Sequence, residues 1–323
     1  MKAIRIDQTG GPEVLHLAIV GEPDPGAGEV RVRNHACGIN FMDTQYRGGA
    51  YPITMPSGLG QEGAGVVEAV GAGVTRFKPG DRVAYCTGPI GAYAQSHVVK
   101  AERAVKLPDA VSFDTAAAAL LKGMTARYLL RKTFRLEPGQ AVVIHAAAGG
   151  VGQIAVQWAK HLGAQVIATA GSDEKARIVR DLGADDVIVS AREDIAARVR
   201  EITHGEGAHV VYDSIGKDTW DASLDSLRPC GMLVSYGNAS GPAPPISPLL
   251  LMQKGSLFLT RPTLASHTRS VEELDETAQD LFDVLIRGAV RIAPPTRYKL
   301  EGAAQAHRDL EARKTTGSLL LIP

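Results

Sequence analysis

The pattern of apolar positions along this 323-residue chain changes near Ala116. Before that point, Gly- and Pro-rich turns separate short alternating or apolar runs, which include EVRVRNHACGI, GAGVVEAV, DRVAYC and AQSHVVK. Alternation with a period of two, bounded by turn residues, is typical of β-strands. The first part of the chain therefore predicts a strand-rich, partly barrel-like domain.

The rest of the chain alternates short apolar strands with amphipathic helices. Helical spacing of Ala, Leu and Met predicts one or two helices over 115–131. The strands that follow are AVVIHA, QVIATA, DDVIV, HVVYD and GMLVSYG, with helical stretches such as VGQIAVQWAKHLG between them. Repeated strand–helix–strand units are typical of a doubly wound parallel sheet with helices on both faces. We predict an α/β fold, with a nucleotide-binding domain at 123–264 and a strand-rich domain at 1–122 completed by 265–323.

The charge, the apolar runs and the cysteines of the chain indicate which kinds of partner it binds. Lys plus Arg and Asp plus Glu both total 35, so no overall basic charge favours nucleic acid or a membrane surface. No apolar run approaches the ~18–20 residues that span a bilayer, and MKAIRIDQTG does not resemble a signal peptide. The three cysteines, Cys37, Cys86 and Cys230, are far apart and odd in number. These features predict a cytoplasmic protein with no disulfide framework and no nucleic-acid or membrane partner.

The strongest local motif runs from Ala146 to Gly152, with the sequence AAAGGVG. It follows an apolar strand and leads into a helix that begins near Val151, which is the context of a dinucleotide fingerprint. Small residues let a pyrophosphate approach the backbone, and the helix N-terminus supplies N–H groups and partial positive charge. A glycine-rich turn without a ligand is the alternative. The alternation of strands and helices around the motif favours a dinucleotide site of the Rossmann type.

The tip of the second strand indicates which nicotinamide cofactor is bound. NAD enzymes usually carry an acid about 20 residues beyond the fingerprint. Here the strand ends in small residues, Gly171 and Ser172, and Lys175 follows one helical turn later. A carboxylate at the tip would repel a 2′-phosphate, whereas a lysine pairs with it. We predict NADPH, with the alternatives that Lys175 is an ordinary solvated helix residue and that Asp173 caps the helix.

Several further segments occur together and in order along the whole chain. They are NFMDT from Asn40, RGGAYP from Arg47, LKGMT from Leu121, VVYDSIGKDTW, SYGN, LTRPTLASH and the terminal TGSLLLIP. With HAAAGGVG, they resemble the zinc-independent, zeta-crystallin-like quinone oxidoreductase branch of the medium-chain dehydrogenase/reductase superfamily. The resemblance implies a GroES-like substrate domain beside the Rossmann domain, and a homodimer in which the apolar strand 256–260 pairs across a two-fold axis.

The resemblance also implies site residues. On the substrate side these are Asn40, Asp43, Tyr51 and Arg261. The cofactor-binding residues implied are Thr125, Ala147, Gly149, Gly150, Val151, Gly171, Ser172, Lys175, Ser190, Gly237, Asn238 and Arg313.

Two positions near the site depart from the family pattern, and each assignment has a structural alternative. Gln45 and Ser190 stand where some relatives have tyrosine, and Arg192 is a candidate to compensate near the 2′-phosphate. Asn40 and Asp43 would otherwise hydrogen-bond a loop. Tyr51 would be a packing aromatic, and Arg261 would form an interdomain or subunit ion pair.

The same resemblance predicts no metal. Zinc-dependent relatives carry a cysteine ligand at the position of Asn40 and a Gly-His-Glu at the position of Gly60-Gln61-Glu62. Amides are poor zinc ligands beside thiolate and imidazole. We therefore predict metal-free, NADPH-dependent hydride transfer to a quinone. The alternatives are an NADPH-dependent alkenal or enone double-bond reductase and, in another class, a non-catalytic, crystallin-like or RNA-associated NADPH-binding protein.

Overall fold

The computed structural model describes residues 1–312 and 314–323, so Arg313 lies outside the described residues. The chain divides into two compact units. Unit 1 comprises Met1–Lys122, Thr268–Ile286 and Ile292–Pro323, and unit 2 comprises Gly123–His267 and Arg287–Arg291.

Strands dominate the first third of the chain, and strands alternate with helices after residue 140. In chain order the strands are β1 (Lys2–Ile6), β2 (His16–Ile19), β3 (Glu29–Ile39), β4 (Ser57–Gly58), β5 (Glu62–Val70), β6 (Arg82–Tyr85), β7 (Ser96–Lys100), β8 (Ala104–Lys106), β9 (Ala141–Ile144), β10 (Gln165–Ala170), β11 (Asp186–Val189), β12 (Ala208–Asp213), β13 (Leu227–Ser235), β14 (Phe258–Thr260), β15 (Thr296–Lys299) and β16 (Leu319–Ile322). The α-helices are α1 (Phe41–Arg47), α2 (Phe113–Tyr128), α3 (Gly150–His161), α4 (Asp173–Asp181), α5 (Ile195–Ile202), α6 (Trp220–Asp225), α7 (Pro248–Gln253), α8 (Leu264–His267), α9 (Val271–Ile286) and α10 (Ala303–Glu311).

Unit 1 is built around the long strand β3. This strand pairs antiparallel with β5, β7 and β16, and the described sheet has the order β15-β16-β3-β5-β6-β8 with β7 joined to β3. A smaller sheet has the order β2-β1-β4. Alternate β3 residues such as Val30 and Val32 point into a core that includes Val83, because successive side chains of a strand face opposite ways. The prediction of a strand-rich, GroES-like domain is confirmed.

Unit 2 contains a parallel sheet with helices. Its described strand order is β11-β10-β9-β12-β13-β14. Counted along the chain within this unit, that order is 3-2-1-4-5-6, the doubly wound Rossmann arrangement. Buried β-branched residues such as Val143, Ile167 and Val211 fill the strands because helices cover both faces. The predicted Rossmann fold is confirmed, and its order reverses between β9 and β12, where ligands bind at the carboxyl ends of such strands.

The helices follow the predicted pattern with small differences at their ends. The segment predicted over 115–131 is α2, followed by a π-helical turn at Leu129–Thr133. The predicted start of a helix near Val151 is α3. Within the described part of the chain, none of the helices combines the length and the apolar character needed to cross a membrane.

Candidate functional site

The fingerprint turn joins β9 to α3 by a tight backbone path. Ala146 has a φ of 49°, in the left-handed region that favours glycine, at the position where the commoner motif has its first glycine. A Cβ on Gly152 would lie 2.6 Å from the Ala146 carbonyl oxygen, so only glycine fits there. Gly149 is the N-cap of α3, which places Gly150 and Val151 in the first turn of that helix. The first N–H groups of a helix have no intrahelical acceptor and suit an anion.

The turn after β10 is open and ends in a helix cap. A Cβ built on Gly171 would meet no atom within 4 Å. Ser172 is the N-cap of α4, and its Oγ accepts a hydrogen bond of 3.3 Å from the Lys175 backbone N–H. Ser172 is therefore the cap, and Asp173, considered for that role from the sequence, is the first residue of the helix. The cap brings the Lys175 position into the first turn of α4.

A second basic residue lies at the same edge of the sheet. The Ser190 Oγ donates to the Ala170 carbonyl oxygen at 3.3 Å, so the end of β11 is tied to the end of β10. The Arg192 Nη1 lies 2.7 Å from the Asp173 Oδ2, and both side chains are more than half exposed. An exposed ion pair contributes only ~0–1 kcal/mol, so a phosphate can displace the carboxylate from Arg192 at small cost. Arg313, which the resemblance also placed here, lies outside the described residues.

These turns meet the steric and chemical requirements of NADPH. The fingerprint turn and the Gly171 turn follow β9 and β10, which are adjacent parallel strands. The crowding at Gly152 shows that α3 packs closely on the fingerprint turn, and the open space at Gly171 leaves the end of β10 accessible. The Ser172 hydroxyl and the Arg192 guanidinium suit a 2′-phosphate, whereas the Ser190 hydroxyl already donates to the Ala170 carbonyl oxygen.

Gly237, Asn238 and Arg261 come together after β13. A Cβ on Gly237 would lie 2.4 Å from the Ser214 carbonyl oxygen, so this turn is packed against the turn that follows β12. The Arg261 Nη1 donates to the carbonyl oxygens of Ser235 at 3.1 Å and Gly237 at 2.9 Å. Arg261 therefore fixes the backbone of the Gly237 turn within unit 2. Thr125, by contrast, lies on α2.

In unit 1, Asn40 is anchored to a buried carboxylate. The Asn40 Nδ2 donates to the Glu62 Oε2 at 2.8 Å, and the Leu121 backbone N–H donates to the Glu62 Oε1 at 2.7 Å. The Lys122 Nζ lies 3.4 Å from the same Oε2. Glu62 is fully buried, so these donors offset the cost of removing its charge from water. The contacts fix the orientation of the Asn40 amide.

Asp43 is also buried and stands in the first turn of α1. Its Oδ2 accepts from the Asn40 backbone N–H at 2.8 Å and from the Tyr93 hydroxyl at 2.7 Å. Its Oδ1 has no hydrogen-bond partner among the described residues. The pKa of Asp43 is raised to about 7, mainly by burial. The hydrogen bonds from Asn40 and Tyr93 and the charge of Lys122 act against this rise, and the nearby Glu62 adds to it. Asp43 thus binds and releases a proton near neutral pH, and it accepts the backbone N–H of Asn40, the N-cap residue of α1.

Tyr51 is the more accessible of the substrate-side residues in unit 1. It is half-buried, and its ring centroid lies 5.3 Å from that of Tyr46. Burial raises the pKa of Tyr46, with smaller contributions from Tyr51 and Asp43. The Tyr51 backbone N–H donates to the Gln45 carbonyl oxygen at 3.4 Å, which holds the loop against α1.

Sequence reasoning missed a polar network behind Asp43. The Tyr93 hydroxyl lies 3.2 Å from the His307 Nε2, and the Arg47 Nη1 lies 2.9 Å from the His307 Nδ1. Arg47 also pairs with Glu311 at 2.5 Å. Burial, and then Arg47, lowers the pKa of His307 to about 3, so this histidine is neutral. His307 is 260 residues from Arg47 in the chain, and no sequence pattern joined them. Glu62 did carry a signal, since it is an acid within the small-residue run GQEGAG.

Comparison with known proteins identifies the family. Residues 26–109 match the family described as the alcohol dehydrogenase GroES-like domain, and residues 150–283 match the zinc-binding dehydrogenase family. The chain is 54% identical over 323 residues to a quinone oxidoreductase of Pseudomonas aeruginosa, covering 100% of this chain and 99% of that protein. The chain belongs to the quinone oxidoreductase family. The resemblance drawn from the sequence motifs is confirmed.

Other members of the family extend the comparison. The crystal structure of the Escherichia coli quinone oxidoreductase complexed with NADPH superimposes with a TM-score of 0.98 at 47% identity, over 100% of both chains. A 2-haloacrylate reductase of a Burkholderia species is 46% identical over 325 residues, covering 98% of each chain. The family therefore includes relatives named for quinones and a relative named for a haloacrylate.

The two positions that carry zinc ligands in zinc-dependent relatives are engaged in other contacts. Asn40 is bound to Glu62, and the Gln61 Nε2 donates to the Met42 Sδ at 3.4 Å. Across residues 1–312 and 314–323, no group of three or more His, Cys, Asp or Glu side chains is placed to hold a metal ion. Metal independence itself stays a prediction.

Proposed function

We propose that this chain is an NADPH-dependent oxidoreductase that reduces quinones by hydride transfer without a metal ion. Unit 2 is the cofactor domain and unit 1 the substrate domain. The observation that carries the proposal is the full-length match, with a TM-score of 0.98, to a quinone oxidoreductase complexed with NADPH.

The turns at the carboxyl edge of the sheet in unit 2 hold the cofactor. Backbone N–H groups at the start of α3 bind the pyrophosphate. Ser172, Lys175, Ser190 and Arg192 bind the 2′-phosphate, and the resemblance adds Arg313. The remaining proposed contacts are Ala147, Gly149, Gly150, Val151 and Gly171. Thr125 and the turn of Gly237 and Asn238 lie near the nicotinamide, as the resemblance implies.

NADPH supplies the hydride, and a quinone or another conjugated carbonyl accepts it. The chain's task is to orient the acceptor and stabilise the negative charge that develops on its oxygen. The Asn40 amide, the Tyr51 hydroxyl and the Arg261 guanidinium are the donors that we propose for this task. Asn40 is oriented by Glu62 at 2.8 Å. Asp43 is buried, so we assign it a positioning role, in which it accepts the backbone N–H of Asn40 at the start of α1, rather than contact with substrate.

Metal independence is supported by the chemistry of the side chains. An amide replaces a thiolate at Asn40 and another replaces an imidazole at Gln61. A conjugated acceptor is already electron-poor and needs less polarisation than an unactivated ketone, so hydrogen-bond donors suffice in place of a Lewis acid.

Reduction of a conjugated carbon–carbon double bond is the second candidate. It is favoured by the 46% identity to a 2-haloacrylate reductase over 98% of each chain. The reaction uses the same cofactor and the same kind of oxygen stabilisation, so the residues above serve both.

The test is the loss of NADPH absorbance with metal-stripped protein, a simple para-quinone and, in parallel, 2-chloroacrylate and an enal. Rapid turnover of the quinone is expected. Turnover of only the unsaturated acid or enal would replace the first function by the second. NADPH binding without turnover of any acceptor would favour the non-catalytic alternative.

Lys175→Ala tests the cofactor preference. A charge-assisted contact contributes ~1.5–3 kcal/mol, so NADPH affinity should fall by about 10- to 100-fold while NADH affinity changes little. Isothermal titration with each cofactor measures this. Lys160→Ala is the matched control, since Lys160 stands in the last turn of α3 and pairs with Asp185 at 2.7 Å. Equal losses for NADPH and NADH in Lys175→Ala would contradict the assignment.

We also propose a cytoplasmic homodimer. Strand β14 is the edge of the described sheet, and Phe258 on this strand is 58% exposed. On the preceding helix α7, Leu249 is 55% exposed and Met252 is 59% exposed. An apolar edge strand of this kind is protected when it pairs with another chain. Sedimentation of the intact protein as a monomer would remove the dimer without affecting the chemistry. The location is supported by the free cysteines Cys37, Cys86 and Cys230.

A further inference from the structure

A buried chain of hydrogen bonds links the central strand ends of unit 2. His145 follows β9 directly, and its Nδ1 lies 3.1 Å from the Thr169 Oγ1 on β10. Its Nε2 lies 3.0 Å from the Ser223 Oγ on α6. The Ser223 Oγ donates to the Asp213 Oδ2, at the end of β12, at 2.7 Å. His145, Ser223 and Asp213 are fully buried.

The direction of each hydrogen bond in this series follows from its final acceptor, Asp213. The Asp213 oxygens accept from four donors, and one of these is the Ser223 hydroxyl, which gives its one proton to Asp213. The Ser223 oxygen must then accept from the His145 Nε2–H, and the Nδ1 must accept from the Thr169 hydroxyl. Burial lowers the pKa of His145, which fits the neutral ring that this arrangement requires. Every donor in this series of hydrogen bonds thus points toward Asp213.

The residue types are those of a hydrolytic triad, but their order excludes that role. In a triad, histidine lies between serine and the acid and takes the serine proton. Here serine lies between histidine and the acid, and its proton is held by Asp213. The serine is also fully buried, so no substrate reaches it.

At one end of this series of hydrogen bonds, Asp213 holds the turn after β12. Its Oδ1 accepts from the backbone N–H groups of Ile215 at 2.7 Å and Gly216 at 3.0 Å. That turn is joined to the Gly237 turn, since the Ala239 N–H donates to the Ser214 carbonyl oxygen at 3.1 Å. The position of the Gly237 turn therefore depends on the Asp213 carboxylate.

At the other end, His145 holds the fingerprint turn. It immediately precedes Ala146, whose left-handed backbone begins that turn. The His145 backbone N–H donates to the Tyr212 carbonyl oxygen at 3.1 Å, and the Ala147 N–H donates to the Thr169 carbonyl oxygen at 3.0 Å. The side-chain bridge through Ser223 therefore joins the turn proposed for the pyrophosphate to the turn proposed near the nicotinamide.

We propose that His145, Ser223 and Asp213 are positioning residues that hold the pyrophosphate turn and the nicotinamide turn at the separation that one NADPH molecule requires. The proposal rests on NADPH being the cofactor of unit 2. A ligand that engages both turns gains affinity only when their spacing matches its own length, whereas a fragment that engages one end does not sense that spacing.

The test compares whole and partial cofactor in Ser223→Ala. This change removes the bridge between His145 and Asp213 while Ile215, Gly216 and Thr219 still donate to the carboxylate. The Kd for NADPH should rise by about 3- to 30-fold. The Kd for adenosine 2′,5′-bisphosphate, which carries only the adenine end, should change by less than about twofold. Titration calorimetry of the full chain measures both constants.

Ser226→Ala is the matched control. Ser226 is equally buried and ends the same helix, but its Oγ donates to the Ala222 carbonyl oxygen within the helix at 2.6 Å. It should lower thermal stability without separating the two ligands. Thr169→Val is a second variant, nearly equal in volume, that removes only the outermost hydrogen bond to His145. It should raise the Kd for NADPH in the same direction by about 2- to 5-fold and likewise spare the fragment.

The outcomes separate this inference from the proposed function. Equal weakening of NADPH and the bisphosphate, or NADPH affinities of Ser223→Ala and Thr169→Val that match Ser226→Ala, would overturn the positioning role while NADPH binding stands. Absence of NADPH binding by the unaltered chain would overturn both. Selective loss of NADPH affinity in Ser223→Ala supports the inference.

Discussion

The two units each bury an aspartate, and the two carboxylates have different surroundings. In unit 2, Asp213 accepts two backbone N–H groups on Oδ1 and the hydroxyls of Thr219 and Ser223 on Oδ2, at 2.7–3.0 Å. In unit 1, Asp43 accepts two hydrogen bonds on Oδ2, while its Oδ1 has no partner in the described part of the chain. Both side chains are at most 1% exposed.

The two carboxylates differ in the number of hydrogen-bond donors that they meet, and not in their depth of burial. Each hydrogen bond to the charged form offsets part of the cost of taking a carboxylate out of water. With donors on one oxygen only, burial raises the pKa of Asp43 to about 7. We infer that Asp213 serves to hold a turn, whereas Asp43 carries a proton that unit 1 binds and releases near neutral pH.

The largest expected effect is that of removing each carboxylate. Asp213→Ala removes the shared acceptor of four donors, of which the Thr219 hydroxyl retains the Gly216 carbonyl oxygen, so unit 2 should lose about 3–4 kcal/mol of unfolding free energy. Asp43→Ala removes the acceptor of the Asn40 N–H and the Tyr93 hydroxyl. It also removes a buried carboxyl group whose Oδ1 has no partner among the described residues, so unit 1 should lose only about 1–2 kcal/mol. The chain has two tryptophans, Trp158 and Trp220, so their fluorescence in urea follows unit 2. Native-state amide exchange in β3 follows unit 1.

A larger loss for Asp43→Ala than for Asp213→Ala would break the comparison. Asp213→Asn serves as the matched control, since its amide oxygen retains part of the acceptor capacity. It should fall between the unaltered chain and Asp213→Ala.

The next effect is the pH dependence contributed by Asp43. Because its pKa is raised to about 7 from the ordinary value of 3.8, the folded state binds the proton more tightly than the unfolded state. The stability contribution is full below about pH 4 and is lost as the pH rises through 7, which amounts to about 2–3 kcal/mol between pH 5 and pH 8. Asp43→Asn keeps an acceptor oxygen but cannot ionise. Its stability relative to the unaltered chain should therefore rise by that amount across the window.

Amide exchange of β3 at matched pH values measures this difference. Buried histidines act in the opposite sense, since burial lowers the pKa of His97 to about 4 and that of His307 to about 3. Their contribution is present above about pH 6.5 and is lost as the pH falls. Both proteins contain these histidines, so their effect cancels in the comparison. A difference between variant and unaltered chain that stays constant from pH 5 to pH 8 would refute the assignment of the titration to Asp43.

The smallest effect is the loss of one hydroxyl. Tyr93→Phe removes a hydrogen bond of 2.7 Å to Asp43, so unit 1 should lose about 1–2 kcal/mol, and the pKa of Asp43 should rise further. Tyr85→Phe is the control, because its equally buried hydroxyl donates to the Asn34 Oδ1 at 2.8 Å. Both variants should lose similar stability. Only Tyr93→Phe should move the steepest part of the pH profile upward, and an equal shift in both would count against the network.

The sequence was informative where a function depends on residues that are neighbours in the chain. The run from Ala146 to Gly152 predicted a strand, a tight turn and a helix start, because glycine spacing and apolar periodicity are local properties. The same holds for the absence of an acid at the tip of β10 and for the amides at Asn40 and Gln61. These features, with the order of motifs along the chain, were enough to predict the family and the fold.

The sequence was less informative about the ends of helices and about single caps. Ser172 and Asp173 are both good N-cap residues, and only the backbone path shows that Ser172 occupies the cap. The sequence also did not predict the contact that Arg261 makes, since its Nη1 donates to the Gly237 carbonyl oxygen at 2.9 Å.

Sequence alone determined the alternation of elements, the fingerprint turn and the family, because each follows from the identity and spacing of residues close together in the chain. The tertiary structure decided which polar side chains share a buried site: Asp43 with Tyr93 and His307, and His145 with Ser223 and Asp213. Those partners are 50 to 214 residues apart in the first network and 10 to 78 in the second. Whether a buried acid meets four donors or two depends on how the strands and helices pack, because donors such as the Tyr93 hydroxyl come from distant parts of the sequence.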